Sequence, residues 1–289
     1  MKWKDRQGNI LPYDDSSDRT LHFLYSTAAG RFILRLMIKP WVSRLAGRLM
    51  DSRVSKLFVK GFVKKNRIRM EDYEEREFCS FNDFFTRRVK EGKRPIDRCP
   101  GHFIAPCDSK LTAYRISPDA SFLIKGTEYT MDTLLQDEKL AARFEGGWAL
   151  IFRLTVGDYH RYCYPDSGTK TDNIHINGVY YTVNPIANGY KIYKENTREY
   201  CLLTGDSFGD MIMMEVGATM VGRIVNRHGA QRVTRGQEKG MFEFGGSTVI
   251  VFVQKDRLTV DGDILENTQN GFETVVKMGE KIGIREGQK

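Results

Sequence analysis

Two glycines followed at once by two hydroxyl residues, Gly245-Gly246-Ser247-Thr248, stand directly before the run Val249-Ile250-Val251-Phe252-Val253. The β-branched and aromatic run reads as a buried strand. Glycines let a backbone take strained dihedrals and let other groups approach closely. A hydroxyl placed directly after them can fold back on the carbonyl of the residue it follows. Ser247 Oγ is thereby a candidate to attack the Gly246 carbonyl, an N→O acyl shift that turns a peptide bond into an ester. The oxyanion formed on the way needs N–H donors nearby. The plainer reading is a Gly-Gly bend entering a strand, and a Gly-Gly-Ser triplet alone does not choose between the two.

The surroundings change the balance. The segment Arg235-Gly236-Gln237-Glu238-Lys239-Gly240-Met241-Phe242-Glu243-Phe244-Gly245-Gly246-Ser247-Thr248 resembles the self-cleavage segment of the phosphatidylserine decarboxylases. Phe81-Asn82-Asp83-Phe84-Phe85-Thr86-Arg87, followed by Arg94-Pro95-Ile96, resembles that family's F-x-x-F-F-x-R…R-P-I segment. Pro106-Cys107-Asp108-Ser109 resembles its P-x-D-G turn, with Ser109 where glycine is usual. Lys125-Gly126-Thr127-Glu128-Tyr129 with Leu134-Leu135, then Asp158-Tyr159-His160-Arg161, then Val183-Asn184-Pro185, follow in the family's order.

The resemblance implies a chain that breaks between Gly246 and Ser247. A β chain of residues 1–246 and an α chain of residues 247–289 would stay together as a heterodimer, with further dimerisation open. Ser247 would become a covalent pyruvoyl group. Its ketone would condense with the amine of phosphatidylserine and take up the electron pair as CO₂ leaves, giving phosphatidylethanolamine. No metal is implied.

Within that resemblance Asp108 matches the aspartate that activates the serine. His160 matches the first histidine of D-Y-H-x-x-H, associated with proton transfer in decarboxylation; without the motif it would read as a structural histidine between tyrosines. Cys163 stands where the second histidine, the usual maturation base, is expected. Three readings stay open: His160 does both jobs, Cys163 takes part, or the fold brings in another histidine. Cys163 reads equally well as a small buried residue, and His228 is a loop candidate. Glu238 matches a family glutamate and could support maturation, although Glu238-Lys239 by itself reads as a solvated turn. Arg161 and Lys125 are candidates to hold the lipid phosphate, as fork and point charge respectively.

These residues need a scaffold. Past residue 100, short apolar runs at Gly147–Phe152, Val179–Val183, Met211–Val216 and Val249–Val253 alternate with Gly, Asn and Asp turns. That pattern predicts a mainly antiparallel β sandwich or barrel-like catalytic region over 100–289. Asp132–Leu140 is the one helix expected there. Residues 1–99 form a second, N-terminal region, which makes the class α+β. In it, 1–20 read as an irregular lead-in and 71–79 as helix-prone, while Phe81, Phe84 and Phe85 share a helix face and read as core.

Residues 21–70 carry Arg31/Arg35/Lys39, Arg44/Arg48 and Lys56/Lys60/Lys64 at i, i+4 among aliphatic and aromatic residues, with Asp51 the only acid. Short amphipathic helices follow, with breaks expected at Pro40 and Gly61. A basic amphipathic stretch fits a helix lying in the plane of an anionic membrane surface; the alternative is a helical hairpin packed on its own domain. The net charge of +8 also favours an acidic partner, and basic residues interleaved with aliphatics fit lipid better than nucleic acid. Five cysteines without a C-x-x-C argue against a disulfide framework or zinc site. No signal peptide and no run of eighteen apolar residues is visible. The expectation is a peripheral enzyme on the cytoplasmic face of the cell membrane. The rivals are a non-enzymatic lipid-binding homologue and a pyruvoyl decarboxylase of a soluble amino acid.

Overall fold

The structure is a computed structural model that describes residues 2–11, 27, 30, 32, 40–124, 127–178, 195–217, 223–244 and 247–287. The expected strand Val179–Val183, the Val183-Asn184-Pro185 motif, Lys125, Gly245, Gly246 and the basic positions 31, 35 and 39 lie outside the described residues.

The strands that matter for the site are, in chain order, β1 (Trp3–Lys4), β2 (Ser109–Arg115), β3 (Trp148–Leu154), β4 (Arg161–Cys163), β5 (Arg198–Gly205), β6 (Gly209–Gly217), β7 (Ile224–Asn226), β8 (Glu238–Phe242), β9 (Ser247–Val253) and β10 (Glu273–Val276). The large sheet runs β5-β6-β9-β3-β2-β10-β1 through its middle. All of these pairs are antiparallel except β1 with β10. A small sheet, β7-β8-β4, is the second layer of the site. The α+β expectation holds as sandwich-like sheets, and the described strands do not close into a barrel.

β9 is central because of its composition. Every residue of Ser247–Val253 is buried, so both faces of the strand carry apolar side chains between β6 and β3. Fully burying one Val, Ile or Phe side chain is worth about 1.5–3 kcal/mol. Five such residues in a row make this strand a poor candidate for local opening.

The helices are α1 (Pro40–Asp51), α2 (Leu57–Lys65), α3 (Phe81–Phe85) and α4 (Gly262–Gln269). α3 begins where Ser80 caps it, accepting from the Asp83 N–H. Phe81, Phe84 and Phe85 are buried as expected, with Val59, Phe62 and Val63 of α2 and Phe244 packed against them.

Several local expectations are corrected. The N-terminus is not simply an irregular lead-in, because Trp3–Lys4 joins the large sheet beside β10 and Arg6 bonds Asp261 and Asp263. The break expected at Pro40 agrees with its place as the first residue of α1, where its missing N–H costs nothing, but the one expected at Gly61 is not found. Gly61 does not break α2; packing of that helix on α3 outweighs the roughly 1 kcal/mol propensity cost of glycine. Residues 71–79 are not a helix beyond the short turn Met70–Asp72, since Glu74 N–H bonds Arg88 O and Lys90 N–H bonds Asp72 O. The helix expected over 132–140 is two, Met131–Leu135 and Glu138–Ala142, parted at Gln136 with a left-handed φ of 56°. It is also not the one helix of this half, since α4 lies there too.

Candidate active site

Ser247 is the first residue of β9, opposite Gly217 of β6 on one side and Leu154 of β3 on the other. The residue is fully buried, and its Oγ has no hydrogen-bond partner among the described residues. A buried hydroxyl without a partner costs about 1–3 kcal/mol, so its presence asks for a reason other than stability.

The approach to Ser247 is fixed from two sides. Phe242 N–H donates to His160 O (2.9 Å), which ties the end of β8 to the histidine just before β4. Phe244 N–H donates to Asn82 Oδ1 (2.9 Å), and its ring meets Phe81 at 4.9 Å and Phe85 at 5.4 Å. Asn82 Nδ2 in turn donates to Asp51 Oδ1 at the end of α1 (2.8 Å). One amide thus joins the N-terminal helices to the segment that leads into Gly245-Gly246.

His160 lies on the same aromatic cluster. It is fully buried, with the Phe85 ring 4.1 Å from its own. Its Nδ1 lies 3.0 Å from Asp158 O, and its Nε2 has no partner among the described residues. A carbonyl oxygen only accepts, so Nδ1 carries the hydrogen and Nε2 presents a bare lone pair. Burial pushes the imidazole pKa down to about 4, against the opposing pull of Asp158. The side chain is therefore neutral at pH 7, a base rather than an acid.

Asp158, in the same motif, is held by Lys110 Nζ at 2.6 Å from each carboxylate oxygen, and by the Thr155 N–H and hydroxyl. Burial opposes its charge, but Lys110 and these bonds prevail and hold the carboxyl down to about 2.

Asp108 is buried and saturated. Arg94 grips both of its oxygens at 2.6–3.0 Å, Lys277 Nζ stands 3.3 Å away, and Met278 N–H donates at 2.9 Å. No hydrogen bond joins Ser247 Oγ to Asp108, His160 or Cys163. Asp108 meets the rest of the site through its neighbours: Lys110, two residues on, clamps Asp158. Asp108→Asn is expected to slow chain cleavage and to lower stability, because it leaves the half-buried Arg94 without its countercharge. Urea midpoints and a cleavage time course read both effects. Cleavage at the normal rate in a folded variant would take Asp108 out of serine activation.

Cys163 is buried, its N–H bonded to Pro106 O, and burial pushes its thiol up to about 12. Such a thiol is neutral at pH 7 and a poor base. Arg161 is not open to a phosphate: its guanidinium donates to Thr86 O at 2.7 and 3.0 Å and to Glu238 at 2.8 Å. Glu238 also pairs with Arg227 and with Arg88. Glu238-Lys239 is not a solvated turn but the start of β8. Lys239 is fully buried, paired at 2.6 Å with Glu215 of β6, whose register partner is Val249. His228 is half-buried beside the Tyr164 hydroxyl. His102 pairs with Asp97 and His175 with Glu199, while His22 lies outside the described residues. Among the described residues no group of His, Cys, Asp and Glu could hold a metal ion.

Sequence reasoning overlooked the buried Lys110 and Arg87 and the half-buried Arg94. Two of them stand inside the F-x-x-F-F-x-R…R-P-I segment, where a charge straight after buried phenylalanines was the available signal.

Comparison with known proteins gives a consistent result. Residues 81–284 match the family described as phosphatidylserine decarboxylase. The chain is 44% identical over 265 residues to phosphatidylserine decarboxylase proenzyme 2 of Clostridium acetobutylicum, covering 91% of each chain. It is 43% identical over 270 residues to a phosphatidylserine decarboxylase proenzyme of Clostridium perfringens strain SM101, covering 91% of this chain and 92% of that one. With the proenzyme of Fusobacterium nucleatum the identity is 39% over 285 residues, covering 96% and 95%.

Proposed function

The chain belongs to the phosphatidylserine decarboxylase family, and from that premise we propose that it is a proenzyme which cuts itself between Gly246 and Ser247 and then converts phosphatidylserine to phosphatidylethanolamine and CO₂. The observation that carries this reading is the Ser247 hydroxyl: buried, without a partner among the described residues, at the first residue of a central strand.

In the cleavage, Ser247 Oγ bonds to the Gly246 carbonyl carbon while the C–N bond breaks, leaving an ester. β-Elimination then releases residues 1–246 as an acid and leaves dehydroalanine at 247. Water enters and ammonia leaves, giving the pyruvoyl group. A buried hydroxyl with no bond to lose, heading a strand held on both sides, fits that precursor role. Derived from Ser247, that group would supply an amine-binding carbonyl and an electron sink for the loss of CO₂, the chemistry pyridoxal phosphate supplies elsewhere.

His160 is the residue to move the proton. A neutral imidazole with a bare Nε2 can take the Ser247 hydroxyl proton in maturation. In turnover it can accept a proton from the substrate ammonium, return it as water is expelled on joining the amine, and relay one solvent proton to the α-carbon, the proton that loss of CO₂ consumes. The high pKa of the Cys163 thiol speaks for His160 filling both roles. Asp108 and Glu238 act at a distance in this reading, as anchors of the cationic frame around the site.

The lipid reaches the site from a membrane surface. Leu45, Leu49, Val54, Leu57 and Phe58 are exposed on α1, α2 and the turn between them, Leu57 to 79%. Arg48, Arg53, Lys56, Lys60, Lys64 and Lys65 are exposed around them. An apolar strip rimmed by cations suits the headgroup layer of an anionic leaflet. This supports peripheral attachment through the N-terminal region, and we take the anionic cytoplasmic leaflet as that surface. Among the described residues no helix is long and apolar enough to cross a bilayer.

Purified protein with phosphatidylserine vesicles should release CO₂ and accumulate phosphatidylethanolamine; activity on free serine derivatives alone would favour a soluble substrate. Leu57→Glu/Phe58→Glu should weaken binding to anionic liposomes at least about tenfold, given about 1.5–3 kcal/mol for each buried apolar side chain. Unchanged cosedimentation would move the docking surface elsewhere.

A further inference from the structure

Arg87 is among the most deeply buried large side chains of the protein, 1% exposed. No carboxylate among the described residues pairs with it. Its Nη2 donates to Gly157 O at 3.2 Å, Asp158 O at 3.3 Å and the Tyr73 hydroxyl at 3.2 Å, and its Nη1 to Phe85 O at 3.4 Å. Its guanidinium carbon lies 4.2 Å from the centre of the Tyr73 ring and 5.0 Å from that of Phe84. Burying a cation with only carbonyls and rings around it costs several kcal/mol. A neutral side chain of that shape would cover the same apolar surface without that cost.

The contact that gives the charge a use is the Asp158 carbonyl. That oxygen receives both Arg87 Nη2 and His160 Nδ1. Arg87 reaches it from seventy-one residues away in sequence, pinning the turn that carries the histidine, while Phe85, two residues before Arg87, covers the imidazole ring. We infer that Arg87 is a positioning residue which fixes His160 as the Nδ1–H tautomer, so that Nε2 is held as a bare lone pair for proton abstraction. The inference rests on the reading that His160 moves the proton, and it specifies how that residue is prepared.

Two effects act together. The carbonyl orients the ring and dictates where the hydrogen sits. The nearby positive charge disfavours a second proton on the imidazole, adding to burial. The charged groups that bear on His160 are Asp158, which favours the imidazolium, and Arg87 and Lys110, which oppose it. Lys110 is bound to the Asp158 carboxylate, which leaves Arg87 as the cation without a countercharge.

The test uses the uncut Ser247→Ala chain with ¹⁵N-labelled histidine, so that the readout needs no enzymatic activity. Long-range ¹H–¹⁵N correlations, with His160 assigned by a His160→Gln control, should show Nδ1 protonated and Nε2 bare from pH 8 down to about pH 5. Adding Arg87→Met should mix the tautomers and raise the proton affinity of His160 at least about tenfold, one pKa unit. In the cleavable background, the acid limb of the cleavage-rate profile should move up in pH by the same amount. An Nε2–H tautomer with Arg87 intact, or an unchanged tautomer and titration in Arg87→Met, overturns the inference. If Arg87→Met does not fold, Arg87→Lys keeps the charge but loses the fork: the titration should then stay low while the tautomers mix, and a single tautomer would overturn the positioning role. A chain that shows this tautomer yet releases no CO₂ from phosphatidylserine would sink the proposed function and leave this inference standing.

Discussion

Ser247→Ala is expected to leave one uncut chain of 289 residues that releases no CO₂ from phosphatidylserine. The loss is complete rather than partial, because the variant lacks both the nucleophile that breaks the backbone and the atoms that become the ketone. The usual objection, that a dead variant is simply misfolded, is weak at this position. Ser247 Oγ makes no hydrogen bond among the described residues, and the strand pairs through its backbone to Gly217 and Leu154. Removing a buried hydroxyl that has no partner relieves a desolvation cost of about 1–3 kcal/mol, so the variant should be no less stable than the wild type. An inactive, uncut and fully stable chain is a combination that a structural role for Ser247 does not produce. Two fragments from this variant would place the cleaved bond elsewhere.

The second large effect is at His160. Replacing it with Gln should slow chain cleavage by about 10²–10⁴-fold, the usual worth of a positioned general base. Turnover in whatever fraction does mature should fall by a similar factor. The pH dependence distinguishes this from generic damage. With the imidazole pKa near 4, wild-type cleavage should be flat through neutral pH and fall as pH drops through about 4–5. In the unfolded chain the same group titrates near its ordinary value of about 6.5. The unfolded state therefore binds the extra proton between about pH 6.5 and 4, and stability falls as pH is lowered through that window. Integrated over the full shift the loss is about 3 kcal/mol. His160→Gln should abolish that part of the acid sensitivity as well as the cleavage. Normal cleavage in the Gln variant would assign the base to another group.

The fold was legible where pattern and burial coincide. Val249–Val253 is β-branched and aromatic without interruption, and it is the buried heart of the large sheet; Trp148–Leu154 and Gly209–Gly217 were visible for the same reason. The two-residue strand at Trp3–Lys4 was not, because its stability comes from β10, some 270 positions away, and nothing local marks it. The helix over 132–140 read as continuous because a left-handed Gln136 leaves no imprint comparable to a glycine.

The site divides along a similar line. Ser247, His160 and Asp108 stand in motifs whose order along the chain carried them. Lys239 was misread because its partner Glu215 lies on another strand, and a Glu-Lys pair in isolation resembles a solvated turn. Arg87 was passed over because its acceptors are backbone carbonyls, which every residue has and no sequence advertises. The role left open by Cys163 narrows for a physical reason: a fully buried thiol is a poor group to take a proton at neutral pH, which favours the buried imidazole of the proposal.

The most direct measurement is the intact mass of the purified wild-type chain under denaturing conditions. Two species are expected, residues 1–246 and residues 247–289, the smaller resisting N-terminal sequencing. Their combined mass should equal that of the uncut chain plus one water and minus one ammonia. A single species with the mass of the full sequence, and an ordinary serine at position 247, would contradict the account.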